Sequence, residues 1–328
     1  MAEPVPEPVL VTGGAGFIGS HLVERFLEED RHVYVVDDLS TGRLDNLSAV
    51  RSHPKLHVIV DSVLNYPMLG DVIARVREVV HLAAVVGVKR VLEHPVTTIT
   101  TNVRGTEIIL DLCNRHRTKV FVASTSEIYG KGGENLDEDH DRVMGSVRNW
   151  RWAYACTKEI DEFLGVAYHA EHGLPVIIGR FFNIVGPRQT GEYGIVLPTF
   201  VRQALAGEEL TVYGDGEQRR CFCHVEDTVD AITGLMKSDA AVGDIFNIGV
   251  EQEITIRGLA EKVIERSGSK SRLRLIPYET AYGGGFEDMD RRQPNISKIT
   301  RVTGWRPGRS LDDIIEGAIA FQRDGSRA

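Results

Sequence analysis

The chain has 328 residues, 38 Lys and Arg against 47 Asp and Glu, and a formal net charge of −9. That acidic balance argues against broad binding to nucleic acid or anionic membrane, which needs clustered positive charge, and no apolar run approaches the ~18–20 residues of a membrane span. Four cysteines make no disulfide framework, and the first eight residues lack the basic and apolar regions of a signal peptide, so the expected compartment is reduced and cytoplasmic.

The first half alternates between apolar runs of strand length and segments of helical period. Strands are expected at Val9–Thr12, His32–Asp37, Leu56–Val60, Val79–Leu82, Lys119–Ala123 and Pro175–Arg180. Ile18–Glu28 and Thr106–Arg115 carry apolar residues three and four apart, as amphipathic helices do. This alternation predicts βαβ units and a doubly wound parallel sheet. After Arg180 the elements shorten and are punctuated by glycine and proline turns, with helical patterns at Val225–Lys237, Gly258–Glu265 and Leu311–Phe321. The run Gly283-Gly284-Gly285 reads either as a mobile lid or as a plain surface loop.

Strand one leads into Gly13-x-x-Gly16-x-x-Gly19 and then into a helix. Glycines there let a pyrophosphate approach the backbone, and the N–H groups of the helix start, around Phe17 and Ile18, face the anion. Strand two ends at Asp37, eighteen residues past Gly19. A carboxylate at that position accepts from the adenosine ribose hydroxyls and repels a 2′-phosphate, which favours NAD over NADP. Asp38 is the neighbouring alternative. Asp61, at the end of strand three, either meets the adenine amino group or faces solvent.

Tyr154 and Lys158 are spaced to share one face of a helix running to about His172. An ammonium near a phenol favours the phenolate and makes a general base near neutral pH. Ser124-Thr125-Ser126-Glu127 follows strand five, at the carboxyl end of the sheet where ligands sit.

Taken in order, Thr-Gly-Gly-x-Gly-Phe-Ile-Gly, His81-Leu-Ala-Ala84, Asn102 before Gly105-Thr106, Ser-Thr-Ser-Glu-x-Tyr-Gly, Tyr-x-x-x-Lys and Arg180-Phe-Phe-Asn183-x-x-Gly-Pro resemble the extended short-chain dehydrogenase/reductase family, its nucleotide-sugar epimerase, dehydratase and decarboxylase group. The similarity runs from about Val9 to Pro307. It implies a Rossmann-like NAD domain, residues 1–180 with a later contribution from about 221–250, and a smaller C-terminal α/β substrate domain, residues 181–328. It further implies that Tyr154 takes the sugar C4 hydroxyl proton, Lys158 holds the nicotinamide ribose and Thr125 hydrogen-bonds the sugar.

Within the group, dTDP-glucose 4,6-dehydratases resemble Thr-Asp-Glu where this chain has Thr125-Ser126-Glu127, so the dehydrating acid is absent. Thr-Ser-Glu-x-Tyr-Gly resembles the UDP-glucuronate decarboxylases, and GDP-mannose 4,6-dehydratases as well. Arg151, three residues before Tyr154, and Arg291-Arg292-Gln-Pro294, similar to a decarboxylase Arg-Lys-Pro segment with Arg292 at the arginine, lean to decarboxylation. A C6 carboxylate wants the planar, permanent charge of arginine; the other reading of Arg291 and Arg292 is surface charge or a pyrophosphate contact. Glu127 and Ser126 would position or protonate groups around C5. Arg220 and Asn183 match the family's diphosphate or sugar contacts.

The resemblance thus implies a UDP-sugar substrate and, with 4,6-dehydratase or C4 epimerase as the alternatives, decarboxylation of UDP-glucuronate. A non-catalytic NAD-binding regulator is the reading from another class; intact Tyr154 and Lys158 argue against it. Family members dimerise through a four-helix bundle, which the helices Asn102–Arg115 and Ala153–His172 would supply. Cys221, Cys223 and His224 lack the second pair of a zinc site and read as alternating strand residues, so no metal is expected. His81 reads as structural, and the acidic run Glu134–Asp141 as a solvated loop.

Overall fold

Alternation along buried strands sets the architecture. In β1 (Val9–Thr12), Val9 and Val11 join one hydrophobic layer and Leu10 the layer on the opposite face, all fully buried. Strands apolar on both faces fit a parallel sheet sandwiched between helices. The computed structural model describes residues 7–191, 195–277, 280 and 289–325; the Gly283–Gly285 run lies outside them.

The chain continues through α1 (Phe17–Glu28), β2 (Val33–Asp37), β3 (Leu56–Val60), α2 (Tyr66–Ile73), β4 (Glu78–His81), α3 (Val88–Glu93), α4 (Pro95–His116), β5 (Lys119–Thr125) and β6 (Gly133–Leu136). Then come α5 (Ala153–His172), β7 (Val176–Phe181), β8 (Ile184–Val185), α6 (Val196–Ala206), β9 (Leu210–Tyr213), β10 (Arg219–Cys221), β11 (Cys223–His224) and α7 (Val225–Met236). The remainder is β12 (Asp244–Ile248), β13 (Glu253–Thr255), α8 (Ile256–Ser267), β14 (Leu273–Ile276), β15 (Arg292–Pro294), α9 (Ser297–Thr303) and α10 (Leu311–Gly325).

Seven strands form the central sheet in the order β12-β7-β5-β4-β1-β2-β3, every neighbouring pair parallel. This is the doubly wound, Rossmann-like sheet expected from the alternation, and β12 adds a strand the apolar runs of the first half did not contain. Winding reverses between β1 and β4, and the crevice at their carboxyl ends is where such sheets take ligands. One face is covered by α1 and α7 through Leu22, Phe26, Val229 and Ile232; the other by α2, α4 and α5 through Leu69, Ile109, Leu112 and Leu164. A third core, with Phe200, Leu259, Val263 and Ile315, unites α6, α8 and α10 in the C-terminal part.

Two local expectations are corrected. α4 begins at Pro95, about three turns before the predicted Thr106 start. Its first turns are rich in β-branched Thr, Val and Ile, which weaken the helical signal, but proline at the first position suits a helix start and the helix packs along α5. The acidic run Glu134–Asp141 is not simply solvated. Its first residues form β6, which pairs in parallel with β15, and Leu136 and Glu138 are buried. The Glu138 carboxylate accepts from the Asn247 backbone N–H at 2.8 Å.

Cys221 and Cys223 are buried strand residues, and burial pushes both thiols up to about 12. The His224 ring caps α7 by accepting from the Glu226 N–H. Among the described residues, no three His, Cys, Asp or Glu side chains are grouped to hold a metal.

Candidate active site

The glycine loop fits a dinucleotide, although its glycines are required first by the protein itself. Gly13 has φ +70°, and a Cβ there would lie 2.9 Å from the Ala83 backbone nitrogen. At Gly19 a Cβ would come within 2.1 Å of the Gly13 carbonyl oxygen, so the helix could not seat against the loop. Gly16 caps α1 with no side-chain hydrogen bond, and the first turn, with Phe17 and Ile18, carries no acid. An uncapped helix start with exposed dipole and N–H groups is suited to an anion.

Asp37 is buried at the end of β2, and its two oxygens accept from the backbone N–H groups of Ala15 (3.0 Å) and Leu39 (2.9 Å). Burial raises its pKa, and those two hydrogen bonds work against the rise. A carboxylate has about four acceptor positions, so it retains capacity for a diol. Asp38 is exposed and turned away, accepting from Ser40 N–H. Asp61 accepts from Ser62 N–H and from the Asn65 amide, at 2.7 Å each.

Thr125 and Ser126 stand where β5 ends. The Thr125 hydroxyl oxygen accepts from Glu127 N–H at 3.2 Å and caps a single 3-10 turn, Ser126–Tyr129. The hydroxyl run also reads as a helix cap, against which Ile128-Tyr129-Gly130 argues; a cap does form, but Gly130 at φ +63° stops the turn after four residues. The Ser126 hydroxyl is buried with no hydrogen-bond partner, the kind of orphan a ligand satisfies.

On α5, Tyr154 and Lys158 share a face one turn apart. Lys158 is buried, and its ammonium donates to the Asp161 carboxylate at 2.9 Å. Next to it, His81 is 1% exposed and held between the hydroxyls of Thr12 (2.8 Å) and Thr106 (3.2 Å). Burial, reinforced by the nearby Lys158 charge, depresses its pKa to about 3, so the ring is neutral, in keeping with a structural part.

Opposite Glu127 lies Arg292, brought there by the pairing of β15 with β6. Its guanidinium is buried, donates to Asn183 Oδ1 at 2.7 Å, and comes within 4.0 Å of Glu127 Oε1. Asn183 has φ +39° and also donates to the Cys221 carbonyl at 2.8 Å, which fixes its amide. Arg220, on β10, is buried as well and donates to the carbonyls of Arg219 and Asp290. Both guanidiniums act electrostatically on the Cys221 thiol between them. Arg291, by contrast, is engaged with Glu253 and Glu134. Arg151 falls in the short turn Trp150–Trp152 before α5, and its side chain lies outside the described residues.

Beneath the site is a network the motif reading did not contain. Arg180 is fully buried, with paired bonds to Glu162 (2.9 and 2.8 Å) and bonds to the Tyr129 hydroxyl and the Glu138 carbonyl (2.8 Å each). Ser124 donates to Glu162, and the Tyr129 hydroxyl to Asn247. Burial would lower the Arg180 pKa, but Glu162 reverses the sign and holds it raised. Burial pushes the Tyr129 phenol up to about 12. The sequence signal was the acid pair Asp161-Glu162 one turn beyond Lys158 on a helix face that packs inward.

The sequence description of the NAD dependent epimerase/dehydratase family matches residues 9–249. The chain is 38% identical over 316 residues to a UDP-N-acetyl-alpha-D-glucosaminuronate decarboxylase of Bacillus cytotoxicus, covering 96% of this chain and 97% of that protein. It is 37% identical over 302 residues to UDP-glucuronic acid decarboxylase 5 of Arabidopsis thaliana, covering 91% and 84%. Among solved structures, UDP-glucuronic acid 4-epimerase from Bacillus cereus, in complex with UDP-glucuronic acid and NAD, superposes with a TM-score of 0.87 at 26% identity, over 97% of this chain and 99% of that one. On sequence, fold and site together, the chain belongs to the NAD dependent epimerase/dehydratase family.

Proposed function

We propose that the chain decarboxylates a UDP-hexuronate, UDP-glucuronate in the first reading, through a 4-keto sugar to UDP-xylose or the UDP-4-keto-pentose. The observation that carries this is the buried Arg292 guanidinium, held by Asn183 and facing Glu127 across the mouth of the sheet. A planar, permanently charged donor set in a buried polar pocket suits a C6 carboxylate. The absence of an acid at Ser126 disfavours loss of water.

Gly13, Gly16, Phe17, Ile18, Gly19 and Asp37 would hold NAD, which when bound supplies a hydride acceptor and donor for C4. Tyr154 removes the C4 hydroxyl proton, and Thr125 orients that hydroxyl. The Lys158 charge stabilises the phenolate. Once C4 is a ketone, the C6 carboxylate is that of a β-keto acid. Breaking C5–C6 releases carbon dioxide and leaves its electron pair as an enolate conjugated to the C4 oxygen. Glu127 and Ser126 would position or protonate groups around C5. Arg220 would serve the diphosphate, and Arg151 the substrate beside Tyr154.

A second reading differs only at C2. The relative matched along nearly the full length of both chains acts on an N-acetylated hexuronate by its name. Incubation with NAD and each UDP-hexuronate in turn, read by mass spectrometry, tests both: the preferred substrate loses the mass of carbon dioxide. Loss of the mass of water, or an unchanged mass, with both substrates contradicts decarboxylation.

The chain acts as a homodimer in a reduced, cytoplasmic compartment. Supporting the compartment, Cys113, Cys221 and Cys223 are buried free thiols, and among the described residues no helix is long and apolar enough to cross a membrane. Supporting the dimer, Val96 and Ile99 on α4 and Ile160, Phe163 and Val166 on α5 are exposed apolar residues on adjacent helices, Phe163 at 63%. Phe163→Glu is expected to convert the dimer to monomer in light scattering coupled to gel filtration; a wild-type protein already monomeric at micromolar concentration contradicts the assignment.

A further inference from the structure

Asp161 sits on α5 one turn below Lys158, away from the mouth of the site. It is 0% exposed, and its Oδ2 accepts the Lys158 ammonium at 2.9 Å. Its Oδ1 is buried without a hydrogen-bond partner. Desolvation offsets much of the attraction in such a buried pair, so the pair as a whole is weak evidence for stability. That leaves room for a role beyond stability.

The surroundings supply one. The Thr12 hydroxyl oxygen accepts from Ala83 N–H (3.3 Å) and shares a hydrogen bond with His81 Nδ1 (2.8 Å). The neutral ring is hydrogen-bonded through Nε2 to the Thr106 hydroxyl (3.2 Å). Burial raises the Asp161 pKa, and the Lys158 charge and the Thr106 hydroxyl work against that rise. Hydrogen bonds thus tie the end of β1, beside the glycine loop, to β4 and α4, and a further one joins Asp161 to the lysine within α5. Among the described residues, the charged group beside Lys158 that acts on Asp161 is Glu162 on α5, paired with Arg180 of β7; the neutral His81 of β4 lies beside Lys158, and α4 presents the Thr106 hydroxyl.

We propose that Asp161 is a positioning residue: it anchors the Lys158 ammonium and sets how much of that charge reaches Tyr154. The inference rests on the reading of Tyr154 and Lys158 as the acid–base pair. With Asp161 ionised, the lysine charge is partly compensated and the phenolate is stabilised less. With the compensation removed, more of the charge reaches the phenol and its pKa falls.

Asp161→Asn keeps the shape and an oxygen acceptor but removes the charge. The expected result is a kcat lowered by roughly 10–100-fold at the wild-type optimum, from a lysine less well held and a base weaker as its pKa falls, with KM for the nucleotide sugar nearly unchanged. The acid limb of the kcat/KM–pH profile should move to lower pH by about one unit. Ultraviolet titration of the phenolate in the protein without substrate, taken as the difference from Tyr154→Phe, should show the same downward shift. Thr106→Val, which removes only the hydroxyl, should shift both in the same direction by less. Wild-type profiles and titrations in folded Asp161→Asn and Thr106→Val overturn the proposal. If Tyr154→Phe itself retains turnover, the acid–base reading falls instead; an inactive Tyr154→Phe beside an unshifted Asp161→Asn removes only the role of Asp161.

Discussion

Tyr154→Phe is expected to lower kcat by roughly 10²–10⁴-fold, the range that a positioned general base contributes. The substitution deletes one oxygen and keeps the ring in the first turn of α5, where Thr157 ties its side chain to the Tyr154 carbonyl at 2.7 Å and Asn102 holds Thr157 at 3.2 Å. The helix start is thus tied through Thr157 and Asn102, and thermal stability and NAD affinity should stay near wild type. In a single turnover, the absorbance of reduced cofactor should rise more slowly by the same factor, because proton removal at C4 accompanies oxidation there. Turnover within a few fold of wild type would remove Tyr154 from the mechanism.

Glu162→Gln is expected to cost about 3–5 kcal/mol of stability, read from denaturant unfolding, because it leaves the fully buried Arg180 charge without its paired carboxylate. That is a large part of the ~5–15 kcal/mol that holds a typical domain together. The amide also presents hydrogens to Arg180 where the carboxylate presented acceptors, and the Ser124 hydroxyl loses a charged partner. Since Ser124 precedes Thr125 on β5 and Tyr129 shares the Arg180 guanidinium, the turn carrying Ser126 and Glu127 should loosen with the core. Activity should then fall even where the variant remains folded. A loss under about 1 kcal/mol would contradict this account of the network.

The parts of the site legible in the sequence are those governed by local rules. Strand, glycine triad and helix follow one another, so the loop at Gly13–Gly19 could be read directly, and the strand ending at Asp37 and Asp38 narrowed the ribose position to two residues. What separates the two is burial and the Ala15 hydrogen bond of Asp37, which connects β2 to the glycine loop. Helical spacing likewise put Tyr154 and Lys158 on one face. Arg292 could be matched by its motif, but its partners could not: they come from β6 pairing with β15, a contact between segments far apart in the chain. For the same reason Glu134–Asp141 looked like a solvated acidic loop, since composition there records charge and not the pairing that buries Leu136 and Glu138. Asp161 and Glu162 were hidden because acids on a helix are ordinarily solvent-facing; only packing against β5 and β7 shows that these two point inward.

The central claim is that C6 leaves as carbon dioxide. Its most direct measurement uses a UDP-hexuronate labelled at the C6 carboxyl, incubated with the enzyme and NAD, with label followed in the gas phase and in the nucleotide sugar. The account predicts release of labelled carbon dioxide in a one-to-one ratio with formation of a UDP-pentose, and no release from Tyr154→Phe on the same timescale. Label retained in the nucleotide sugar while the C4 configuration inverts, or while water is lost, would contradict it.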